Sequence, residues 1–258
     1  MSDGDRLYAE ERRYAIVQSA RRAGRVEVAA LAQEFGVTPE TVRVDLNALQ
    51  ASGILKRVHG GAVPVERTLF EPQIASRVEF ADEKRAIAGA ALAELPEAGA
   101  VFLESGSTSM FLAEQLPRGR SLSVFTNSLP IATYLATVPE YTVHTLGGRV
   151  RPVTLGEVDT VAIRTLHGVN IDVAFLGTNG LSAEFGLTTP DQAEADFKRA
   201  TLASARRRVL LADRSKVGTV ALWRYGDVSD VHVVVTSSRA DEREIGALRE
   251  TTGRLVLV

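Results

Sequence analysis

The sequence predicts an α/β protein of two domains: a small helical N-terminal domain that ends in a β-hairpin, and a larger C-terminal domain with a mainly parallel sheet. Three patterns predict this. Apolar residues recur at helical spacing near the N-terminus and precede a short apolar hairpin. Helical tracts then alternate with short β-branched runs, and a Pro-containing stretch of mixed charge separates the two parts. We place the domains at 1–63 and 77–258, with a linker at 64–76.

Composition limits the functions open to this chain. It has 258 residues, 45% of them apolar, a net charge of -2, no Cys and four scattered His. This length supports one large core and a small satellite domain. The lack of Cys excludes disulfides and thiolate chemistry, and the scattered His argue against a metal site. No window reaches the roughly 18 apolar residues of a membrane span, and the first residues are charged where a secretory signal is apolar. We expect a cytoplasmic protein with no cofactor, metal or membrane partner.

Apolar spacing predicts the first two helices. Helix one is expected from about Tyr8 to Ala23, ending at Gly24. Its apolar stripe consists of Tyr14, Ile16, Val17 and Ala20. After an extended piece at 25–27, helix two is expected from Val28 to Phe35, and Gly36 stands where a left-handed residue ends a helix.

The third helix has a strong start signal. Thr38 is a favourable N-cap, Pro39 presets the first helical φ, and Glu40 places a negative charge in the first turn. Gly53 is expected to end the helix. Its core-facing residues are Val42, Leu46 and Leu49. The opposite face carries Thr38, Glu40, Thr41, Arg43, Val44 and Asn47.

A basic hairpin follows the third helix directly. Residues 54–63 have the pattern of a strand, a turn and a returning strand, with Lys56 and Arg57 on the first strand and His59 at the turn. A helix with a polar outer face followed by such a hairpin is typical of a winged helix-turn-helix domain, whose second motif helix enters the DNA major groove. The outer-face residues of helix three, together with Lys56, Arg57 and His59, are therefore candidate DNA contacts.

Arg43 is the best single candidate for a DNA contact. It can make a bidentate contact to guanine or bind a phosphate, and the sequence leaves both open. The alternative is an ion pair with Asp45 or Glu40 on a solvated face.

The net charge of the N-terminal domain gives only weak support for DNA binding, because residues 1–65 hold nine Lys/Arg against eight Asp/Glu, a difference of +1. The cations cluster where phosphates would be met, at Arg12–Arg13, Arg21 to Arg25, Arg43 and Lys56–Arg57.

The second domain alternates helices with short apolar strands. Helices are predicted at Asp82 to Leu95, Ser107 to Leu116, Leu129 to Val138, Gln192 to Arg207 and Ala240 to Glu250. Strands are predicted at Ala100 to Leu103, Leu122 to Phe125, Thr142 to Leu146, Val173 to Leu176, Val209 to Ala212, Val231 to Val235 and Leu255 to Val258. Such alternation predicts a mainly parallel sheet covered by helices, and ligands of open α/β sheets lie at the carboxyl ends of the strands.

Polar residues follow four of these strands. The first strand leads into a helix through Glu104, Ser105, Gly106, Ser107, Thr108 and Ser109. This segment offers backbone N–H groups, hydroxyls and a positive helix end to a phosphate-sized anion. The alternative is a glycine turn with a Ser/Thr N-cap. The other loops are Thr126-Asn127-Ser128, Gly147-Gly148-Arg149 and Gly177-Thr178-Asn179-Gly180. Four such strand ends suggest one cleft.

Two charged clusters each allow two interpretations. Glu194 and Lys198 stand four apart, either as an exposed helix ion pair or as ligands of sugar hydroxyls and phosphate, respectively. Asp213 and Lys216 follow a strand, either as a cap and solvated pair or as a wall of the cleft, which we favour. Arg206-Arg207-Arg208 is interpreted as a solvated helix end, and Trp223 as a packing residue.

These motifs resemble those of DeoR-family bacterial transcription regulators. The first domain matches the family pattern V-S-x-x-T-I-R-R-D-L, L-x-x-x-G, L-x-R-x-H-G-G-A at Val37, Thr41, Arg43, Asp45, Leu46, Leu49, Gly53, Leu55, Arg57, His59, Gly60, Gly61 and Ala62. Tracts similar to the family's D-x-G-T-T-T, T-N-S, L-G-G, G-x-x-G and E-A-x-x-K-R blocks lie at Glu104, Thr126, Leu146, Gly177 and Glu194. The chain departs from the family at Val44, where a second Arg is usual, and at Glu104 and Ser237, where Asp is usual.

The resemblance implies a repressor of a sugar-catabolism or sugar-phosphotransferase operon, with a sensor domain similar to ribose-5-phosphate isomerase. It implies a homo-oligomer, a dimer or tetramer, that binds double-stranded operator DNA and is released by a phosphorylated sugar. The VPVERTLFEP and GTNG tracts look most like fructose-operon members, which indicates fructose 1-phosphate. One alternative is an activator. Another is a sugar-phosphate isomerase that uses Glu104, Asp213 and Lys198 as acid, base and anion clamp. An isomerase gains nothing from a wing, so we expect no enzymatic activity.

Overall fold

The computed structural model describes residues 8–23, 25–51, 54–64, 71–74 and 77–258. The chain divides into two compact units, Met1–Glu79 and Phe80–Val258. This division lies slightly beyond the linker predicted at 64–76, whose placement stays a prediction. Gly24 and Gly53, predicted to end helices, lie outside the described residues, as does most of that linker. Within the described ranges, no helix is long and apolar enough to cross a membrane.

In its described residues, the N-terminal unit forms three helices and a small antiparallel sheet. The elements are α1 (Ala9–Ala23), β1 (Val26–Glu27), α2 (Val28–Glu34), α3 (Pro39–Ala51), β2 (Leu55–Val58) and β3 (Gly61–Pro64). Strand β3 lies between β1 and β2. Gly36 has a φ of +61°, and the Thr38 hydroxyl accepts a hydrogen bond from the Thr41 N–H at 3.2 Å. The predicted helices and wing are confirmed.

The three helices pack around a compact apolar core. Its buried residues include Ile16, Val17, Ala20, Leu31, Val42, Leu46, Leu49 and Leu55. Helical periodicity predicted most of them, but Tyr14 is 47% exposed and its place in the stripe was wrong. Ile16, Val17 and Ala20 share one face of α1, whereas Tyr14 lies about 200° around the helix from Ile16 at 3.6 residues per turn.

A buried carboxylate joins α1 to α3. Asp45 Oδ2 accepts a hydrogen bond from Arg12 Nε at 2.6 Å, and Asp45 Oδ1 accepts one from Arg13 Nε at 3.0 Å. Because Arg12 is buried in this pair, its predicted role in meeting phosphates was wrong. Arg13 is partly exposed and shares the same carboxylate. The side chains of Arg21 and Arg22, predicted to belong to the basic cluster, lie outside the described residues.

The two glycines of the wing turn meet different requirements. Gly60 has a φ of +76°, in the left-handed region that favours glycine, and a Cβ there would meet no other atom nearby. A Cβ at Gly61 would instead collide with the carbonyl oxygen of Val26. This close approach arises because β3 pairs with β1, with Glu27 opposite Gly61. The wing is thereby fixed to the body of the unit.

The C-terminal unit is built around a seven-stranded parallel sheet. Its strands, with those of two smaller sheets, are β4 (Ala98–Leu103), β5 (Ser121–Thr126), β6 (Thr142–Thr145), β7 (Arg149–Arg151), β8 (Gly156–Val158), β9 (Ile171–Gly177), β10 (Gly180–Ser182), β11 (Gly186–Thr189), β12 (Ala205–Ala212), β13 (Trp223–Gly226), β14 (Val233–Thr236) and β15 (Leu255–Leu257). The large sheet has the order β15-β14-β12-β9-β4-β5-β6, with parallel neighbours throughout. All seven predicted strands are confirmed, as is the mainly parallel sheet.

Helices cover both faces of the large sheet. They are α4 (Ala81–Ala91), α5 (Ser107–Glu114), α6 (Leu129–Leu135), α7 (Asp159–His167), α8 (Gln192–Ser204) and α9 (Glu242–Thr251). Helices α4 to α6 bury apolar residues on one face and α7 to α9 on the other, which gives two cores. From β4 the chain proceeds to β5 and β6, then returns to β9 on the other side of β4. Open α/β sheets bind ligands at such a switch point, at the carboxyl ends of the strands.

Some local assignments in this unit were wrong or missing. Helix α8 ends at Ser204, and Arg206-Arg207-Arg208 belong to β12, not to a helix end. Ala205 already pairs with Ile171 of β9, and Arg207 Nε contacts Glu94 Oε2 at 2.6 Å. Helix α7, the β7–β8 hairpin and the β10-β11-β13 sheet were not predicted from the sequence. Their strands have only three or four residues, too few for a clear alternation pattern.

Replacing Asp45 with Asn should destabilise the N-terminal unit by about 3 kcal/mol, because it removes the carboxylate charge that pairs with the buried Arg12 guanidinium. Amide hydrogen exchange of α1 and α3 in the full chain measures this loss locally. Glu40→Gln is the matched control on the same helix, because it breaks an exposed pair and should cost under about 1 kcal/mol. Equal effects of the two substitutions would show that the Asp45 pair does not stabilise the unit.

Candidate functional site

The outer face of α3 is the candidate DNA-binding surface. Thr38, Glu40, Arg43, Val44 and Asn47 are exposed there, and Thr41 is half-buried. Beside it on the wing, Lys56 and His59 are exposed and Arg57 is half-buried. The structure therefore brings the predicted DNA contacts onto the recognition helix and the adjacent hairpin. Whether each of them touches DNA remains a prediction.

Several of these side chains have partners within the unit. Arg43 Nη1 donates to Glu40 Oε2 at 2.9 Å, so the ion pair expected as an alternative is present with Glu40 and not with the buried Asp45. Arg57 Nη1 donates to Asn47 Oδ1 at 2.7 Å, which joins the wing to α3. Exposed pairs of this kind contribute little stability. The side chains of such pairs can therefore exchange their present partners for DNA phosphates or base edges.

The second site lies at the switch point between β4 and β9. Glu104, directly after β4, is buried, and its Oε2 accepts hydrogen bonds from Lys198 Nζ at 2.6 Å and from the Gly177 N–H at 2.8 Å. Lys198 Nζ also donates to the Gly177 carbonyl at 2.9 Å and lies 5.2 Å from the centre of the Tyr225 ring. One buried ion pair thus connects the ends of β4 and β9 to α8.

The start of α5 has the features of an anion site. Its N-cap is Gly106, and no side chain of the described residues caps it, so the predicted alternative of a Ser/Thr N-cap was wrong. Glu104 Oε1 and Ser109 Oγ are buried and have no hydrogen-bond partner within the described part of the chain. Unpaired polar atoms in a protein interior are costly, so a native fold that retains them requires an explanation. A ligand at the start of α5 would supply one.

The loop after β5 organises the site through its own hydrogen bonds. Asn127 Oδ1 accepts from the Ser105 N–H at 2.8 Å, and Asn127 Nδ2 donates to the Glu157 carbonyl at 3.1 Å. Thr126 Oγ1 donates to the Leu103 carbonyl at 2.6 Å, and Ser128 caps α6. Asn127 therefore holds neighbouring loops together, Thr126 links the ends of β5 and β4, and Ser128 fixes the start of α6.

The other two predicted loops are also shaped by internal contacts. Glu157 Oε2 accepts from the Leu146 and Gly147 N–H groups, both at 2.9 Å, and Gly148 has a φ of +107°. Arg149 forms an exposed pair with Asp159 at 2.7 Å, and this hydrogen bond raises the pKa of Arg149. After β9, Thr178 Oγ1 donates to the Gly180 carbonyl at 2.7 Å, and Asn179 Oδ1 lies 3.1 Å from Thr189 Oγ1.

Glu194 and Lys198 are both buried, so the exposed helix pair considered as an alternative was wrong. Each has a different partner. Glu194 Oε2 lies 3.2 Å from Arg151 Nη1 and accepts a hydrogen bond from Thr189 Oγ1 at 2.5 Å. Burial alone would lower the pKa of Lys198, but Glu104, Tyr225 and Glu194 together outweigh it and the pKa is raised. Lys198 therefore carries a charge that Glu104 already compensates.

A further charged cluster follows β12. Asp213 is buried and accepts hydrogen bonds from the Ser215 N–H at 2.9 Å and from Ser215 Oγ. Burial would raise the pKa of Asp213, but Lys216, Lys84 and the Ser215 hydrogen bonds lower it below its ordinary value. The solvated pair is thus wrong for Asp213, whereas the role of Asp213 and Lys216 as a wall of the cleft remains a prediction.

Sequence reasoning missed several polar side chains near these strand ends. They are Lys84, Arg151, Glu157 and Tyr225, all buried. Lys84 lies in the first turn of α4, where a lysine in an amphipathic helix is usually solvated. Arg151 and Glu157 lie on the β7–β8 hairpin, which was itself not predicted. Within the described ranges, no group of three or more His, Asp and Glu side chains is arranged to hold a metal ion.

A winged helix-turn-helix unit in the same chain as a parallel α/β unit with a polar switch-point site defines a ligand-responsive DNA-binding regulator. Residues 12–68 match the DeoR-like helix-turn-helix domain, and residues 79–238 match the DeoR C terminal sensor domain. The chain belongs to the DeoR family, as its sequence motifs indicated.

Two relatives with similar sequences are named as transcriptional regulators. The HTH-type transcriptional regulator GlpR of Haloferax volcanii is 34% identical over 91% of this chain and 92% of its own. The glycerol-3-phosphate regulon repressor of Escherichia coli is 27% identical over 88% of this chain and 90% of its own. These names agree with the expectation of a non-enzymatic protein. Ribose 5-phosphate isomerase A of Methanocaldococcus jannaschii is 18% identical over 52% of this chain and 53% of its own, with a TM-score of 0.39, too low to support a functional assignment.

Replacing Lys198 with Met should destabilise the C-terminal unit by about 3 to 5 kcal/mol, because Glu104 stays buried without its cation. The double variant Glu104→Gln/Lys198→Met should lose clearly less than the sum of the two single losses. Urea unfolding followed by the fluorescence of Trp223, the one Trp of the chain, measures each value.

The matched control for this double-mutant cycle is the exposed pair Asp196–Arg199, which lies on the same helix as Lys198. Its coupling energy should be below about 1 kcal/mol. A Glu104–Lys198 coupling no larger than the control would contradict a stabilising role for the buried pair.

Proposed function

We propose that this protein is a transcriptional repressor of an operon for the catabolism or phosphotransferase uptake of a sugar, and that a phosphorylated sugar releases it from its operator. The geometry at the start of α5 is the observation that supports a phosphorylated effector. An uncapped helix N-terminus attracts an anion, and the buried Ser109 hydroxyl beside it has no other partner in the described residues. A phosphate monoester suits both features.

The remainder of the effector would extend from α5 toward Glu104. The Oε2 atom of Glu104 is already hydrogen-bonded, but its Oε1 atom is buried without a partner in the described residues. Glu104 Oε1 can therefore accept a hydrogen bond from a sugar hydroxyl. Lys198 is better described as the partner that fixes Glu104 than as the phosphate ligand first expected. Glu194 is likewise engaged by Arg151 and Thr189. Both therefore position the site in this proposal, and Ser107, Thr108 and Ser109 bind the phosphate.

Two effectors fit this chemistry. The resemblance to fructose-operon regulators favours fructose 1-phosphate, and the name of the Escherichia coli relative favours glycerol 3-phosphate. Each combines one phosphate monoester with neighbouring hydroxyl groups. The same relative is named a repressor, which supports repression over activation. Release from DNA requires that the effector bind the DNA-free form of a dimer or tetramer more tightly than the operator-bound form.

A thermal-shift panel on the full chain tests the effector class. Phosphorylated sugars and glycerol 3-phosphate are compared with their unphosphorylated parents and with inorganic phosphate. A true effector at one hundred times its Kd should add about 2.7 kcal/mol of stability, and it should reduce operator binding in a fluorescence anisotropy titration. If no phosphorylated sugar stabilises the protein, or if the stabilising compound leaves operator binding unchanged, the proposed induction is wrong.

Replacing Ser109 with Ala separates a ligand-binding role from a structural one. Because the Ser109 hydroxyl is buried and unpaired in the described chain, its removal should leave stability unchanged or slightly higher. Effector affinity should fall at least about tenfold, since a hydrogen bond to a charged group contributes about 1.5 to 3 kcal/mol. Isothermal titration calorimetry of the unaltered protein and of Ser109→Ala, with the effector that the thermal-shift panel identifies, measures this change in affinity.

The matched control is Ser204→Ala, because the Ser204 hydroxyl donates to the Ala200 carbonyl at the far end of α8. This variant should bind the effector as the unaltered protein does. The opposite pattern for Ser109→Ala, a loss of stability with unchanged effector affinity, would remove Ser109 from the binding site.

A further inference from the structure

The outer face of α3 has an apolar centre. Val44 is 55% exposed, although valine is usually buried. At 3.6 residues per turn it lies about 200° around α3 from Val42, which is fully buried in the core. Val44 is therefore directed away from the body of the unit. In a helix-turn-helix domain this direction leads toward the base edges of the major groove.

The polar neighbours of Val44 on this face have partners of their own. Arg43 Nη1 is bonded to Glu40 Oε2 at 2.9 Å, and Asn47 Oδ1 is bonded to Arg57 Nη1 at 2.7 Å. Val44 itself can neither donate nor accept a hydrogen bond. In the major groove, the apolar feature of a base pair is the C5-methyl group of thymine, and apolar side chains recognise it by direct contact.

We propose that Val44 reads the C5-methyl group of one thymine in each operator half-site. This inference rests on the proposed function as an operator-binding protein and adds a specific base contact to it. Removing one methyl group from an apolar contact costs about 0.8 kcal/mol, which corresponds to about a fourfold loss of affinity. The contact therefore contributes more to the choice of sequence than to total affinity, most of which comes from phosphates.

The experiment begins by selecting preferred duplexes from a random DNA pool with the full-length protein. Each thymine of the selected site is then replaced in turn by deoxyuridine, which lacks only the C5-methyl group. At one thymine in each half-site, deoxyuridine should weaken binding by the unaltered protein about fourfold. With Val44→Ala the same replacement should have a clearly smaller effect, because the variant lacks the two Val44 methyl groups that would contact the thymine methyl group.

Val161→Ala is the matched control, since Val161 is 52% exposed and lies on α7 of the other unit. This variant should retain the full sensitivity to deoxyuridine at the same thymine. The deoxyuridine scan of the unaltered protein needs no variant, so the outcome does not depend on how well Val44→Ala folds.

Failure of the inference and failure of the proposed function give different results. If selection yields a preferred duplex but no thymine is sensitive to deoxyuridine, the Val44 contact is wrong and operator binding stands. The same holds if Val44→Ala remains as sensitive as the unaltered protein at that thymine. If selection yields no preferred duplex, sequence-specific DNA binding fails, and the inference is overturned with it.

Discussion

The buried ion pair between Glu104 and Lys198 is the interaction on which the C-terminal unit depends most. A single carboxylate oxygen accepts from Lys198 Nζ and from the Gly177 N–H, so it connects the end of β4, the end of β9 and helix α8. These two strands are central, and the sheet extends outward from both of them. A buried carboxylate or ammonium without its partner is costly, so the pair fixes the relative positions of the loops that follow both strands.

This pairing determines which atoms remain available to a ligand. Lys198 and Glu194 have the residue types that bind phosphate and sugar hydroxyls, but their charges are compensated within the protein. The second oxygen of Glu104 and the Ser109 hydroxyl have no such partner in the described residues. In the proposed function, recognition of the effector therefore depends on these unpaired atoms at and near the start of α5. The more prominent charged residues keep those atoms in place.

Much of the fold could be predicted because its signals are local. Most strands of the large sheet contain a short apolar run, and Thr38 and Gly36 mark helix ends through their own backbone preferences. The partners of buried charges could not be predicted in this way. Glu104 and Lys198 stand 94 residues apart, and Arg12 and Asp45 stand 33 apart. Such contacts depend on topology, so sequence spacing suggested nearer partners, Glu194 for Lys198 and Arg43 for Asp45. The strand ends of the site were predictable, but the assignment of its polar atoms was not.

The outer face of α3 and the switch-point site of the C-terminal unit use charge in opposite ways, and this difference follows from burial. On α3 the Arg43–Glu40 pair and the Arg57–Asn47 hydrogen bond are exposed or half-exposed, so water and salt weaken them and phosphates can replace one partner. In the C-terminal unit the Lys198–Glu104 and Arg151–Glu194 pairs are excluded from water, and breaking either costs more than breaking an exposed pair. Exchangeable contacts suit a surface that must bind and release DNA. Fixed contacts suit the effector site of the proposed function, which would present the same few unpaired atoms to each ligand.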